Sequence, residues 1–78
     1  MEICIIGAGH VGLVTGACFA DLGNSVVCVD NDPKKIEALK KGRVWFYEPG
    51  LEPMVERNLK KKRLSFTTKI AEGVRRSK

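Results

Sequence analysis

The sequence has no long uninterrupted apolar segment. A membrane-spanning helix needs about 20 consecutive apolar residues, and no run in this chain approaches that length. The first predicted strand begins directly after Met1, which leaves no room for a secretory signal peptide. We therefore expect a cytoplasmic protein with no membrane partner.

Cysteine is scarce and shows no paired spacing. The three cysteines, Cys4, Cys18 and Cys28, lie in apolar segments, and no Cys-x-x-Cys pair occurs. The single histidine, His10, has no spacing to them that suits a metal site. Free cysteine in such segments behaves as a small hydrophobic residue. We therefore predict three buried, reduced thiols and no metal site.

The sequence also lacks the usual marks of a nucleic-acid-binding protein, although its net charge is +5. Most of the excess lies in Lys60–Arg63 and in Arg75, Arg76 and Lys78, and no aromatic residue interleaves with these cations. Cations near helix C-termini complement the helix dipole and stay solvated. We expect that role and no nucleic-acid partner; a basic nucleic-acid-binding protein is the alternative.

What the sequence does contain is a glycine-rich loop directly behind the apolar run at residues 3–6, with the order Gly7-Ala8-Gly9-His10-Val11-Gly12. Gly7 permits a tight turn, and Gly9 leaves no side chain between the backbone and a pyrophosphate. Gly12 lets the following helix pack close to the sheet. The unpaired N–H groups at the start of that helix face the anion. The loop therefore predicts a phosphate-binding site.

A carboxylate stands where such a site needs one. Asp30 ends the second apolar run, 18 residues after Gly12, and about 20 are expected before the acid that binds an adenosine ribose. Asp32, before Pro33, fits a helix cap, which leaves Asp30 for a ligand; a solvated strand end is the alternative. The Asp30 carboxylate would repel the 2′-phosphate of NADP, and no arginine follows it to offset that repulsion. We therefore predict that the site binds NAD rather than NADP. Lys35, a cation in the first turn of a helix, is either a ligand contact or a solvated lysine.

Alternating apolar segments predict one small α/β domain over residues 1–78. The predicted strands are 2–6, 25–29 and 64–67, and the predicted helices are 10–22, 33–41, 51–61 and one last helix after the third strand. This order favours a partial Rossmann-type, doubly wound parallel sheet with strand order 3-2-1 and helices on both faces. The fourth strand of that fold is missing. We therefore expect the N-terminal part of a dinucleotide-binding domain, able to associate through the unpaired edge at residues 3–6.

Two further patterns concern packing. Val11, Val14, Cys18 and Leu22 recur at spacings of three and four, which predicts one apolar face of the first helix. Residues 44–47 carry four large side chains in neither helical nor strand period. They predict a loop folded back on the core, or an interface.

Longer runs of the chain resemble a known family. They surround the glycine loop and Asp30 and continue through Lys35-Ile36-Glu37-Ala38-Leu39 and Tyr47-Glu48-Pro49-Gly50-Leu51. Together they cover nearly the whole chain without gaps and resemble the N-terminus of the UDP-glucose 6-dehydrogenases, in the UDP-glucose/GDP-mannose dehydrogenase family. The Glu-Pro-Gly-Leu element is more specific than the glycine loop.

The resemblance implies an NAD-dependent enzyme that oxidises the primary alcohol of UDP-glucose to a carboxylate in two hydride transfers. It implies that the Val11 backbone contacts the pyrophosphate and that Asp30 and Lys35 hold the adenosine ribose. Members usually have an aromatic residue in place of His10 and commonly proline in place of Trp45. Neither departure removes a backbone donor, so the expected cofactor site is unchanged.

No catalytic residue is expected within the 78 residues. In the family that the chain resembles, the catalytic cysteine, the catalytic lysine and the sugar-binding residues lie downstream of the segment that corresponds to these 78 residues. Cys4, Cys18 and Cys28 match none of them. His10 has no visible partner and is not assigned as a base. We therefore expect this chain alone to be inactive. The alternatives are a dehydrogenase of another nucleotide sugar (GDP-mannose or a UDP-N-acetylhexosamine) and a non-catalytic nucleotide-sensing module.

Overall fold

A computed structural model describes residues 1–76. The chain order is β1-α1-β2-α2-α3-β3-α4. The strands are β1 (Glu2–Ile6), β2 (Ser25–Val29) and β3 (Leu64–Thr67), and the helices are α1 (His10–Asp21), α2 (Pro33–Lys40), α3 (Leu51–Lys60) and α4 (Ile70–Arg76). Every predicted element is present, and each of the first three helices ends one residue before its predicted end.

The sheet is parallel, with β2 between β1 and β3. Ile3 of β1 pairs with Val26 of β2, and Val26 in turn pairs with Leu64 of β3. The predicted strand order is thus confirmed. Within residues 1–76 no strand pairs with the outer edge of β1.

The two faces of the sheet are set by the alternation of side chains along β2. A Cβ added at Gly16 of α1 would lie 2.9 Å from the Cys28 sulfur. A Cβ added at Gly73 of α4 would collide instead with the side chain of Val29. Helices therefore cover both faces, as predicted. Residues of α2 and α3 join α1 in one core cluster that includes Leu13, Ile36, Leu39, Leu51 and Val55.

The apolar face predicted for α1 is not the face that packs on the sheet. The buried residues of this helix are Leu13, Gly16, Ala17 and Ala20. Val11 and Leu22, on the predicted face, are 78% and 79% exposed. The small residues are buried because they let the helix lie close to the strands. Leu13 is the large apolar side chain of α1 that is fully buried, Val14 of the predicted face packs against the core in part, and Val11 and Leu22 face outward.

The prediction of three buried thiols is right for Cys28 and wrong for Cys18. All three cysteines are free; Cys28 is buried, Cys4 is partly buried and Cys18 is exposed. Burial, with a contribution from the nearby Cys4, raises the pKa of the Cys28 thiol to about 12. Cys18 is exposed because it belongs to the outward face of α1.

Two further features are absent from residues 1–76. No helix within residues 1–76 is long and apolar enough to cross a membrane. No three His, Cys, Asp or Glu side chains in the same part of the chain group as metal ligands would.

Candidate dinucleotide-binding site

The glycine loop joins β1 to α1 by a tight turn. Gly7 has φ +93°, a left-handed conformation that side chains other than glycine's rarely allow, and its N–H donates to the Val29 carbonyl at 2.6 Å. A Cβ at Gly12 would collide with the Gly7 carbonyl oxygen. At Gly9 an added Cβ would have no atom within 4 Å. The fold itself therefore requires Gly7 and Gly12, whereas Gly9 faces open space.

The N-terminus of α1 is open to a ligand. The first backbone hydrogen bond of the helix runs from the Leu13 N–H to the Gly9 carbonyl at 2.8 Å. The N–H groups of residues 10–12 consequently have no acceptor within the helix. No side chain caps Gly9, and the first turn contains no acidic residue. These donors and the positive end of the helix dipole suit an anion.

Asp30 lies beside this loop and accepts three hydrogen bonds. Its Oδ2 accepts from the Ala8 N–H and from the Lys35 Nζ, both at 3.1 Å, and its Oδ1 accepts from the Asp32 N–H at 3.0 Å. Burial raises the pKa of Asp30, but the hydrogen bonds from Asp32, Lys35 and Ala8 outweigh it, so that the pKa lies below its ordinary value of 3.8. Asp30 is therefore a fixed, charged acceptor.

Lys35 contacts Asp30 rather than extending freely into solvent. Its side chain is 26% exposed and that of Asp30 is 13% exposed. An ionised carboxylate has about four lone-pair positions and an ammonium has three donors. One position on Oδ1 and two donors on Nζ therefore remain for a ligand hydroxyl that both donates and accepts. The sequence argument for NAD over NADP overlooked this cation, which offsets part of the Asp30 charge.

Asp32 has the capping role that was predicted for it. Its Oδ1 accepts from the N–H groups of Lys34 at 3.0 Å and Lys35 at 3.3 Å, and Pro33 occupies the first turn of α2. The cap fixes the start of α2 and so fixes the direction from which the Lys35 side chain reaches Asp30.

A cleft opens at the carboxyl ends of the strands, where ligands bind in open α/β sheets. It encloses about 270 Å³ and is lined by Ile6, Gly7, Val29, Asp30, Asn31, Thr68 and Ile70. Its walls are mainly apolar and Asp30 stands among them, a combination suited to a flat apolar ring joined to a hydroxylated sugar.

The structure adds a partner for His10 that sequence reasoning missed. The His10 Nε2 lies 3.2 Å from the Glu48 Oε1, and the His10 ring stacks on Phe46 with centroids 4.0 Å apart. The statement that His10 has no partner is therefore wrong. Glu48 is 38 residues away in the chain, so no local spacing signalled the contact.

Ala8, another residue of the glycine loop, is buried, and its N–H donates to Asp30.

A parallel α/β unit with a glycine loop at its first helix and a carboxylate at the end of its second strand defines a dinucleotide-binding domain. A family model described as UDP-glucose/GDP-mannose dehydrogenase family, NAD binding domain, matches residues 1–78. The chain belongs to this family, and its cofactor is NAD.

Curated relatives agree with this assignment. The chain is 54% identical to the UDP-glucose 6-dehydrogenase of Rhizobium meliloti over 74 residues, covering 95% of this chain and 17% of that protein. It is 50% identical to the UDP-glucose 6-dehydrogenase of Pseudomonas aeruginosa, covering 95% of this chain and 16% of that protein. The chain thus spans about one sixth of the length of these relatives.

Solved structures share the fold. A ternary complex of GDP-mannose dehydrogenase from Pseudomonas aeruginosa matches with a TM-score of 0.94 at 36% identity, covering 99% of this chain and 18% of that one. A UDP-glucose dehydrogenase from Pyrobaculum islandicum matches with a TM-score of 0.91 at 41% identity, covering 97% of this chain and 18% of that one. The Rossmann-type fold predicted from the sequence is confirmed.

Proposed function

We propose that residues 1–78 form the N-terminal part of the NAD-binding domain of a UDP-glucose 6-dehydrogenase. Such an enzyme oxidises UDP-glucose to UDP-glucuronate with two NAD. The observation that carries the proposal is the Asp30–Lys35 pair beside an open glycine loop. Among the solved structures, identity is 41% to the UDP-glucose dehydrogenase and 36% to the GDP-mannose enzyme, and curated UDP-glucose 6-dehydrogenases reach 54%, which favours UDP-glucose over GDP-mannose.

The glycine loop and the start of α1 would bind the pyrophosphate of NAD. The backbone N–H groups of His10, Val11 and Gly12 supply the donors, because no acceptor within the helix takes them. Gly9 lets the pyrophosphate approach the backbone, and Gly7 holds the turn. These groups bind and orient; bound NAD supplies the hydride acceptor.

Asp30 and Lys35 would hold the adenosine ribose. The free position on the Asp30 Oδ1 accepts from a ribose hydroxyl, and Lys35 donates to an oxygen of the same sugar. A 2′-phosphate in NADP cannot donate to Asp30, and Lys35 offsets only part of the repulsion. We therefore infer a preference for NAD that rests on hydrogen-bond donors as much as on charge.

Oxidation of the sugar would need residues that this chain does not supply. No residue of the described site is positioned as a nucleophile, and the residues assigned here only bind the cofactor. The chain alone is then inactive in dehydrogenation. A dehydrogenase for another nucleotide sugar uses the same cofactor half, and so does a nucleotide-sensing module. We also infer a cytoplasmic location, which suits the free thiols.

In a protein of the relatives' length, we propose that a fourth parallel strand and its helix cover the open edge of β1. Val11 at the start of α1 and Leu22 just after its end are also exposed. Unpaired strand edges and exposed apolar side chains are both typical of interaction surfaces. In residues 1–78 alone, the open edge should promote self-association at high concentration. Amide protons of residues 3–6 should exchange more slowly in a protein of the relatives' length than in residues 1–78 alone; equal exchange rates would contradict the proposal.

Backbone amide shifts during titration with NAD test the site. NAD should shift the amide signals of Gly9, Val11 and Gly12, and Asp30→Asn should weaken binding by about 10-fold or more, since a hydrogen bond to a charged group contributes roughly 1.5–3 kcal/mol. Asp32→Asn is the matched control, because it removes a nearby carboxylate yet keeps a good helix cap. Equal affinity in the two variants would contradict the assignment. Shifts confined to Lys60–Arg63 on titration with a short DNA would favour the nucleic-acid alternative.

A further inference from the structure

The loop at residues 44–48, here called the aromatic loop, lies beside the proposed ribose site. Trp45 is the only tryptophan of the chain, and its residue surface is 51% exposed. The Lys35 Nζ lies 5.0 Å from the centroid of the Trp45 ring. The same nitrogen is 3.1 Å from the Asp30 Oδ2. Trp45, Lys35 and Asp30 therefore form a continuous row of contacts.

The other side of the aromatic loop contacts the start of α1. The Phe46 ring stacks on His10 at 4.0 Å, and Trp45 meets Phe46 edge to face at 4.9 Å. Glu48 lies 3.2 Å from His10. The loop therefore bridges the first turns of α1 and α2, next to the proposed pyrophosphate and ribose positions.

The bridge restrains a side chain that would otherwise be free to move. A lysine side chain has four flexible carbons, and an ammonium near the surface readily exchanges a carboxylate for water. An aromatic face attracts the ammonium as well, and tryptophan is the strongest such partner. Trp45 itself is held by Phe46 and hence by His10.

We propose that Trp45 is a positioning residue of the cofactor site, which keeps the Lys35 ammonium beside Asp30 where the adenosine ribose binds. The inference rests on the proposed function, because it takes Asp30 and Lys35 as the ribose contacts. Trp45 acts through Lys35 and touches no reacting atom. Its effect is therefore on the affinity for NAD and depends on the presence of Lys35.

A double-mutant cycle in NAD affinity tests this dependence. Trp45→Ala should weaken NAD binding about 3- to 10-fold, and Trp45→Phe, which keeps a ring face, should restore part of the loss. In a Lys35→Ala chain, Trp45→Ala should change the affinity less than 2-fold. Tyr47→Ala is the control, since Tyr47 belongs to the same loop and is 88% exposed. An equal loss with and without Lys35, or none in either chain, overturns the proposal.

The fluorescence of Trp45 gives a second readout. NAD should change the emission along the same binding curve as isothermal titration calorimetry, and the change should disappear in Asp30→Asn. In one outcome, NAD binding shifts the Gly9 amide signal and requires Asp30, while the Trp45 emission stays constant and the double-mutant cycle shows no coupling between Trp45 and Lys35. In that case the Trp45 inference fails and the proposed cofactor site stands. If neither Gly9 nor Asp30 responds to NAD, the proposed function itself fails.

Discussion

Alanine at Gly12 introduces one methyl group into a position that the loop already fills. The added Cβ would collide with the Gly7 carbonyl oxygen and would lie 3.4 Å from the Ile5 Cγ2. Backbone has to shift, because no flexible side chain tip is available to give way. Overpacking of this kind costs about 1–3 kcal/mol. For a domain of this size each kcal/mol lowers Tm by roughly 4–8 °C, so a fall of about 4–24 °C is expected.

Gly9→Ala is the matched variant, with the same added methyl three residues earlier. Gly9 has φ −73° and ψ −174°, an extended conformation open to any residue, and its Cβ would meet no atom within 4 Å. Alanine restricts the unfolded chain, which stabilises by about 0.4–1 kcal/mol. It is also a poorer N-cap than glycine, which costs a similar amount. The free energy of unfolding should therefore change by less than about 1 kcal/mol.

Thermal unfolding followed by circular dichroism, together with NAD titration, separates the two glycines. Gly12→Ala should lose stability. Gly9→Ala should keep its stability but bind NAD at least about 10-fold more weakly, because its methyl group occupies the approach of the pyrophosphate. A Gly9→Ala chain as unstable as Gly12→Ala, or one that binds NAD like the unaltered chain, would refute the reasoning.

Three further outcomes are expected. Thiol labelling should modify Cys18 in the folded protein, whereas Cys28, with a pKa of about 12, should react only after unfolding; early labelling of Cys28 would contradict the packing. Because the folded pKa of Asp30 lies below 3.8, its charge stabilises the fold above that pH and the contribution is lost as pH falls further. Asp30→Asn should therefore flatten the loss of stability below about pH 4 in urea unfolding. Asn58 of α3 is fully buried, and its Nδ2 donates to the Asp21 Oδ1 at 3.0 Å. Asn58→Asp should lower Tm more than Asn58→Leu, because it buries a second carboxylate beside Asp21.

The turn at the glycine loop was predictable because its signals are local. Gly7 is required by a positive φ and Gly12 by a close backbone approach, and both requirements act within one turn of chain. Asp32 and Pro33 likewise mark the start of α2 within two residues. Strand order followed from the alternation of strands and helices.

The packed face of α1 was not predictable from apolar periodicity. Larger side chains gave the stronger pattern, yet Gly16 and Ala17 are buried while Val11 is exposed. Burial here depends on how closely the helix approaches the sheet, and a hydrophobic pattern does not report that distance.

The contacts of the aromatic loop could not be predicted from the sequence either. His10 meets Glu48 across 38 residues, and Lys35 meets Trp45, through a segment without regular secondary structure. Side-chain spacing carries no information about such pairs, because the course of the loop fixes them. The sequence anticipated only that residues 44–47 would fold back on the core or form an interface, and Val44 and Phe46 do pack against the core cluster.

The central claim is that NAD binds across the glycine loop with its adenosine ribose on Asp30. A crystal structure of the chain with NAD tests it most directly. The account predicts a ribose hydroxyl within hydrogen-bond distance of the Asp30 Oδ1, the pyrophosphate against the N–H groups of residues 10–12, and Lys35 between the ribose and Trp45. A nucleotide bound elsewhere, such as the lysine-rich cleft lined by Lys40 and Lys60, would contradict it.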